Sequence, residues 1–412
     1  MKGSPVEVWL WLLLVMNPHN PKTFSLLERF GSAEELARAI RDGDCEGLSD
    51  AEMQRARNTR TREVRQIMEE CAAENISIVT LDSPEYPALL KNIFSPPIAL
   101  FVRGSLRCLE GAVSLAVVGP RRPSDYAVRV AESLCTELVK LGTVLVSGLA
   151  VGIDAAAHSC SVRGGVPTIG VLACGQLVNY PAENEELKRR IVSGGGALIS
   201  ELLPHASVEP GYFVQRNRMV SGLGMGTLVV EASTRSGCLL TANHAIDQGR
   251  DLFCVPPCDI MRESCMGVVP FLRDGAIPVF DHLDIVKEYM CYFFNRVDTD
   301  ELNDRYHRSN ARRQSANRER QLPRPKAAPV PPETPPQEAP EPAPRQELSA
   351  ERLEGLSDLQ TALARLVEKA PATADELLEL SGNAYSEGIE ALTELEIDGI
   401  IQLMPDGKYR LA

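Results

Sequence analysis

Between Ile76 and Phe280 the chain repeats one unit: a short apolar run, a turn bearing glycine, and a segment with helical spacing. The apolar runs are Ile76 to Leu81, Ala99 to Val102, Val113 to Val118, Val144 to Val146, Thr168 to Leu172, Ala197 to Ser200, Thr227 to Val230, Asp251 to Val255 and Ile277 to Phe280. Runs such as Val113 to Val118 carry no polar alternation, so as strands they are buried on both faces. Helical spacing over Ala127 to Leu141, Ala155 to Val162 and Leu239 to Gln248 supplies the covering layers. The alternation predicts an α/β fold, a Rossmann-like mostly parallel sheet with helices on both faces. Ligands of such sheets sit beyond the carboxyl ends of the strands.

Four glycine-bearing loops follow apolar runs. They are Gly119-Pro120-Arg121-Arg122, the stretch Ser147 to Asp154, Gly175 with Tyr180-Pro181, and the segment from Phe213 to Pro257. In that last segment Gly222, Gly224 and Gly226 lack a Cβ that would obstruct an approaching phosphate. Glu231, Arg235, Ser236 and Gly237 then precede a helix start, where backbone donors attract anions. Neighbouring strands lie about 4.8 Å apart, so a row of such loops can follow a chain of phosphates. With Arg121, Arg216 and Arg218 nearby, the pattern predicts an elongated anionic ligand. No Gly-x-Gly-x-x-Gly follows Val118 and no Gly-x4-Gly-Lys-Ser/Thr loop occurs, which argues against a dinucleotide site and against P-loop hydrolysis.

Asp154 and His158 share one helix face. The pair reads as an N-cap and a satisfied core histidine in preference to a groove support, and neither looks like half of a catalytic dyad. Glu231 ends a buried strand. It suits accepting hydrogen bonds from a neighbouring loop or pairing with an arginine, and acid catalysis would need a sugar ring beside it.

The flanks differ from the middle. Residues 1–75 read as a small helical domain with helices over Val6 to Met16, Thr23 to Phe30, Ala33 to Ile40 and Asp50 to Asn75. The α/β domain takes residues 76–294. Residues 295–352 lose the apolar pattern and become proline-rich, which predicts an extended spacer. Residues 353–412 read as helices Asp358 to Glu368, Thr373 to Ser381 and Ala384 to Asp398. A hairpin around Pro405-Asp406-Gly407 follows, giving the order of a winged-helix domain. Its third helix carries acids where a DNA reader carries cations, so protein docking is expected of it.

A net charge of -13 opposes non-specific adhesion to nucleic acid and confines any such site to a local groove. Eleven cysteines without a repeated framework fit reduced thiols in a cytoplasm. Cys254, Cys258 and Cys265 form the one cluster, in a strand-like context that favours packing, so no metal and no cofactor is assigned. The run Val8 to Met16 has a single basic residue before it and no cleavage pattern, which favours a core helix over a signal peptide. No run reaches the length needed to cross a bilayer, and a cytoplasmic protein is expected.

The segments YPALLKNIFSPPIALFVRG, AVVGPRRPSDYA, VSGLAVGIDAAAH, GVPTIGVLACG with NYPAEN, ISELLP and FVQRNRMVSGLGMGTLVVEASTRSGCLLTANHAIDQGRDLFCVP together resemble the DNA-processing protein A family (DprA, also called Smf). The resemblance covers nearly the whole chain, including the head, which would be similar to SAM or helix-hairpin-helix domains. It implies a non-enzymatic homodimer that binds and protects single-stranded DNA and helps load the RecA recombinase during natural transformation. By the same resemblance the DNA contacts are Gly119, Arg121, Ser124 and Tyr126; Ser147, Gly148, Gly152 and Asp154; Arg216, Asn217 and Arg218; and Ser236, Gly237 and Thr241.

The chain departs from the family pattern at Pro120, Val151, Cys238 and Pro257, and in GVVPFL. A cation lost at Val151 would weaken the groove by about 1–3 kcal/mol if its counterpart touched phosphate. The alternative is a nucleotide phosphoribohydrolase of the lysine-decarboxylase-like family. Gly222 to Thr227 approaches its Pro-Gly-Gly-x-Gly-Thr signature, with Glu231 as the acid.

Overall fold

The computed structural model describes residues 4–293, 356–374, 376–377, 385–404 and 408–411. They divide between two compact units, Met1–Gln321 and Leu322–Ala412. The expected spacer, the middle tail helix for the most part and the tip of the tail hairpin lie outside the described residues.

In the first unit α1 (Pro5–Met16) is apolar on nearly every side, and Trp9 to Leu13, Val15 and Met16 are all buried. Such a helix needs cover all round, and α2 (Lys22–Phe30), α3 (Ala33–Asp42), α4 (Asp50–Asn58) and α5 (Thr61–Ala73) supply it. Where one helix from Asp50 to Asn75 is expected, Thr59 and Arg60 are extended and divide it in two. The break presents the Thr59 carbonyl to the buried indole of Trp11, whose Nε1 donates to it at 3.2 Å. The head does not keep a core to itself. Ile76, Ile98, Ala99 and Phe101, from the first strands and the turn between them, pack in the same cluster as α1 and α3, so the expected boundary at residue 75 runs through shared packing.

Nine strands form one sheet: β1 (Ser77–Thr80), β2 (Ala99–Gly104), β3 (Ser114–Val118), β4 (Val144–Ser147), β5 (Thr168–Val171), β6 (Ala197–Ser200), β7 (Gly226–Val229), β8 (Asp251–Cys254) and β9 (Ile277–Pro278). Their order is β1-β2-β6-β5-β4-β3-β7-β8-β9. All pairings from β6 to β9 are parallel, while β1 with β2 and β2 with β6 are antiparallel. This is the predicted mostly parallel α/β fold. The order runs outward from β3 in both directions, through β4 to β6 on one side and β7 to β9 on the other. The switch point therefore lies between β3 and β7.

Alternate residues of each strand feed different layers, as period-two geometry requires. Leu115 and Val117 join the cluster holding α7 (Asp125–Lys140) and α8 (Ile153–Gly164). Ala116 and Val118 face α10 (Pro210–Leu223) and α11 (Cys238–Asp247). Helix α9 (Glu185–Ser193) covers β5 and β6. The remaining short helices are α6 (Ala88–Lys91), α12 (Val269–Arg273), α13 (Leu283–Val286) and α14 (Met290–Phe293).

The second unit contains α15 (Asp358–Lys369), capped by the reciprocal Ser357–Gln360 box, and α16 (Tyr385–Ile397). The antiparallel pair β10 (Ile401–Leu403) and β11 (Tyr409–Leu411) follows. Leu363, Val367, Leu377, Leu392, Leu395, Ile401 and Tyr409 make its core.

Candidate nucleic-acid interface

The loops after β3, β4 and β7 converge at the switch point on a cleft of about 310 Å³. Its lining includes Gly119, Pro120 and Arg121 from the first loop, Gly148, Ala150 and Asp154 from the second, and Ser236 and Gly237 from the third. Helix α10 adds Phe213, Val214, Arg216 and Asn217, and α11 adds Cys238, Leu240 and Thr241. Nine of the fourteen predicted contact residues thus meet in one place.

The loops interlock through missing side chains. Gly152 has a φ of 88°, and a Cβ there would strike the Pro120 and Arg121 carbonyls. A Cβ on Gly148 would overlap the Arg216 guanidinium. Both positions need glycine for close approach, Gly152 also for its backbone angle. Arg216 is 6% exposed, and its Nη1 donates to the Val171 carbonyl at 2.5 Å. Its Nε, also buried, has no partner among the described residues.

Asp154 opens α8 and accepts from the Ala150 backbone N–H at 3.3 Å, tying the loop after β4 to its helix. Burial raises its carboxyl, an effect the Arg216 charge and hydrogen bonds from Ala150, Ser147 and Gly148 oppose. Burial likewise lowers Arg216, with Asp154 opposing. Asn217 Nδ2 donates to the Gly237 carbonyl at 3.4 Å, fixing α10 against the start of α11. Arg121 is exposed, and its guanidinium stands 4.9 Å above the Phe213 ring, which meets Tyr180 edge-on at 5.7 Å. Sequence reasoning passed over Phe213. The missing signal was α10 itself: residues 213 and 216 are one turn apart and so share a face.

Five predicted contacts lie elsewhere. Arg218 is two residues beyond Arg216 and therefore points away from it around the helix. It is 9% exposed, and its Nη2 reaches Glu201 Oε2 at 2.7 Å. The same nitrogen lies 2.8 Å from His19 Nδ1, and His19 Nε2 faces Glu201 Oε1 at 3.0 Å. Arg218 is thus a clamp between head and sheet. Ser147 is fully buried and donates to the Val117 carbonyl within the sheet. Gly152 sits behind the first loop. Ser124 caps α7 by accepting from the Ala127 N–H at 3.1 Å. Tyr126 lines a small hollow beside Cys258 and Cys265.

Glu231 is 5% exposed and outside the cleft lining. Its two oxygens accept from the Ser124 N–H at 3.0 Å and the Ser124 hydroxyl at 2.7 Å, the loop-holding role in place of an acid catalyst. His158 is fully buried with Nδ1 2.8 Å from the Thr168 hydroxyl, and burial pushes it down to about 4. The Gly222 to Gly226 turn does not approach a ligand in the cleft. It precedes β7 and so lies at the amino ends of the parallel strands, away from the cleft. Cβ atoms there would strike Ile93, Ala116 and Tyr289, so these glycines serve packing. The phosphoribohydrolase signature falls on that same turn.

Residues 77–290 of the 412-residue chain, just over half of it, match the family model for DNA recombination-mediator protein A. The chain belongs to this family. It is 35% identical over 215 residues to the DNA processing protein DprA of Bacillus subtilis, covering 52% of this chain and 72% of the relative. It is 36% identical over 261 residues to the protein Smf of Synechocystis, covering 61% of this chain and 65% of that one, just under two thirds of its length. The X-ray structure of DprA from Streptococcus pneumoniae is similar with a TM-score of 0.62 and 29% identity, covering 70% of this chain and 99% of that one. Among the described residues no helix is long and apolar enough to cross a membrane.

Proposed function

We propose that the cleft at the β3/β7 switch point binds the backbone of single-stranded DNA. The observation that carries this reading is the convergence of three carboxyl-end loops, the start of α11 and the guanidinium groups of Arg121 and Arg216 on one cleft. Arg121 and the polar groups of Asn217, Ser236 and Thr241 hold phosphates, and the backbone at Gly119, Gly148 and Gly237 allows close approach. Arg216, with a buried Nε lacking a partner, sets the floor charge. Phe213 offers a half-buried ring on which a base stacks without regard to its identity. Ser124, Ser147 and Arg218 act behind the cleft, and Asp154 from within its lining, by holding its loops and helix.

In this reading the protein is a cytoplasmic homodimer and a binding protein, not a hydrolase. It protects unpaired strands and helps load the RecA recombinase in DNA uptake and recombination. Membership of a recombination-mediator family supports that role. The tail unit, whose sequence is read as a winged-helix domain, serves as a protein-docking module. Fluorescence anisotropy with labelled oligothymidine across a salt series tests the core of the proposal. Binding that weakens steeply with salt and is indifferent to base sequence is expected. Salt-independent binding, or none, would overturn it.

A further inference from the structure

The cysteines not absorbed by the cleft include one close pair. Cys258 lies exposed in the segment after β8, and Cys265 lies 3% exposed in the turn before α12. Their sulfurs are 3.6 Å apart, in contact and unbonded. Both line a hollow of about 10 Å³ with Tyr126 and Glu231. That is about the room one water-sized molecule occupies. The segment between them is among the most exposed apolar parts of the described residues, with Ile260 at 72% and Met261 at 88%. Little packing there resists the small movement that closes two sulfurs to bonding distance, about 2.05 Å.

We propose that Cys258 and Cys265 form a peroxide-reactive dithiol that closes to a reversible disulfide. The exposed Cys258 sulfur attacks one oxygen of hydrogen peroxide or an alkyl hydroperoxide, and its thiol proton passes to the departing oxygen. The O–O bond breaks, water or alcohol leaves, and Cys258 becomes a sulfenic acid. The Cys265 sulfur then attacks the Cys258 sulfur, the S–O bond breaks, and the departing hydroxyl takes the Cys265 thiol proton and leaves as water. Two thiols are oxidised by two electrons and one peroxide is reduced. The buried partner is the resolving thiol because it is shielded from bulk oxidant and already touches the first.

The position gives the reaction a structural consequence. Cys265 Sγ lies 3.5 Å from Glu231 Oε1, the carboxylate that holds Ser124. The Gly267 N–H donates to the Ala232 carbonyl at 2.8 Å, so the turn carrying Cys265 is fastened to the loop after β7. Closing the disulfide removes a thiol donor from Glu231 and fixes the segment from residue 258 to 265 against that loop.

Peptide mapping of the full chain reads the bond directly, because trypsin cuts at Arg262, between the two cysteines. After brief hydrogen peroxide treatment and alkylation, peptides 251–262 and 263–273 are expected as one linked species that separates on reduction. The chain should remain a single-chain species on a non-reducing gel. Cys258→Ser should abolish the linked species, whereas Cys254→Ser, which alters the other cysteine in the first peptide, should retain it. Cys258 is exposed, so its serine variant folds. A linked species surviving in Cys258→Ser, a link only between two copies, or Cys258 sulfenylation with no linked species each overturns the proposal.

Discussion

The guanidinium of Arg216 fills the space that any side chain at Gly148 would need. The loop after β4 and the helix α10 are therefore built for each other, and the charge at the floor of the cleft depends on a hydrogen atom at residue 148. Gly148→Ala must displace the arginine or the loop. Overpacking of this kind costs about 1–3 kcal/mol. The variant should melt lower and bind oligothymidine less tightly, as measured by thermal denaturation and anisotropy on the same sample.

Arg121 is exposed, so its removal separates binding from folding. Arg121→Ala should leave the melting temperature unchanged and weaken oligothymidine binding roughly tenfold, about 1.4 kcal/mol. The slope of log affinity against log salt should shrink by about 1, as for loss of one phosphate contact. An unchanged slope would place Arg121 outside the DNA footprint.

Arg218 should behave in the opposite manner. Its removal leaves Glu201, 4% exposed, without its main counter-charge. Breaking a buried pair from one side costs about 3–5 kcal/mol. Denaturant unfolding of Arg218→Ala should report a loss of that order. A variant that also removes the charge on the other side, Arg218→Met with Glu201→Leu, should recover most of it.

Acid should act on the protein through His158. Burial holds the folded imidazole near 4, below its ordinary 6.5, so the folded state keeps it neutral. The stability this represents is complete above about pH 6.5 and is lost as pH falls from there through about 4. The accumulated loss is about 3 kcal/mol. Melting temperature against pH should decline across that window, and His158→Gln should flatten the decline.

The apolar runs, their glycine turns and the alternation with helices were legible because a strand buried on both faces has no polar residue to place. From that pattern the layer type and the edge on which ligands gather follow by general rules. Harder to read was the segment Phe213 to Gly226, where an expected glycine turn is in fact the end of α10. A glycine required for packing and one required for ligand approach have the same chemistry. Only the direction of the chain through the sheet separates them.

The sequence by itself thus determined the sheet, its covering helices and the set of polar and glycine residues available to a site. Tertiary structure alone decided how the arginines divide: Arg121 and Arg216 meet in one cleft although 95 positions apart, while Arg218, two positions from Arg216, is turned into a clamp on Glu201 and His19. The reason is geometric. Local spacing sets which face of a helix a side chain occupies, but which partner waits on that face depends on strand order and loop interlock, and those are set by contacts between residues far apart in the chain.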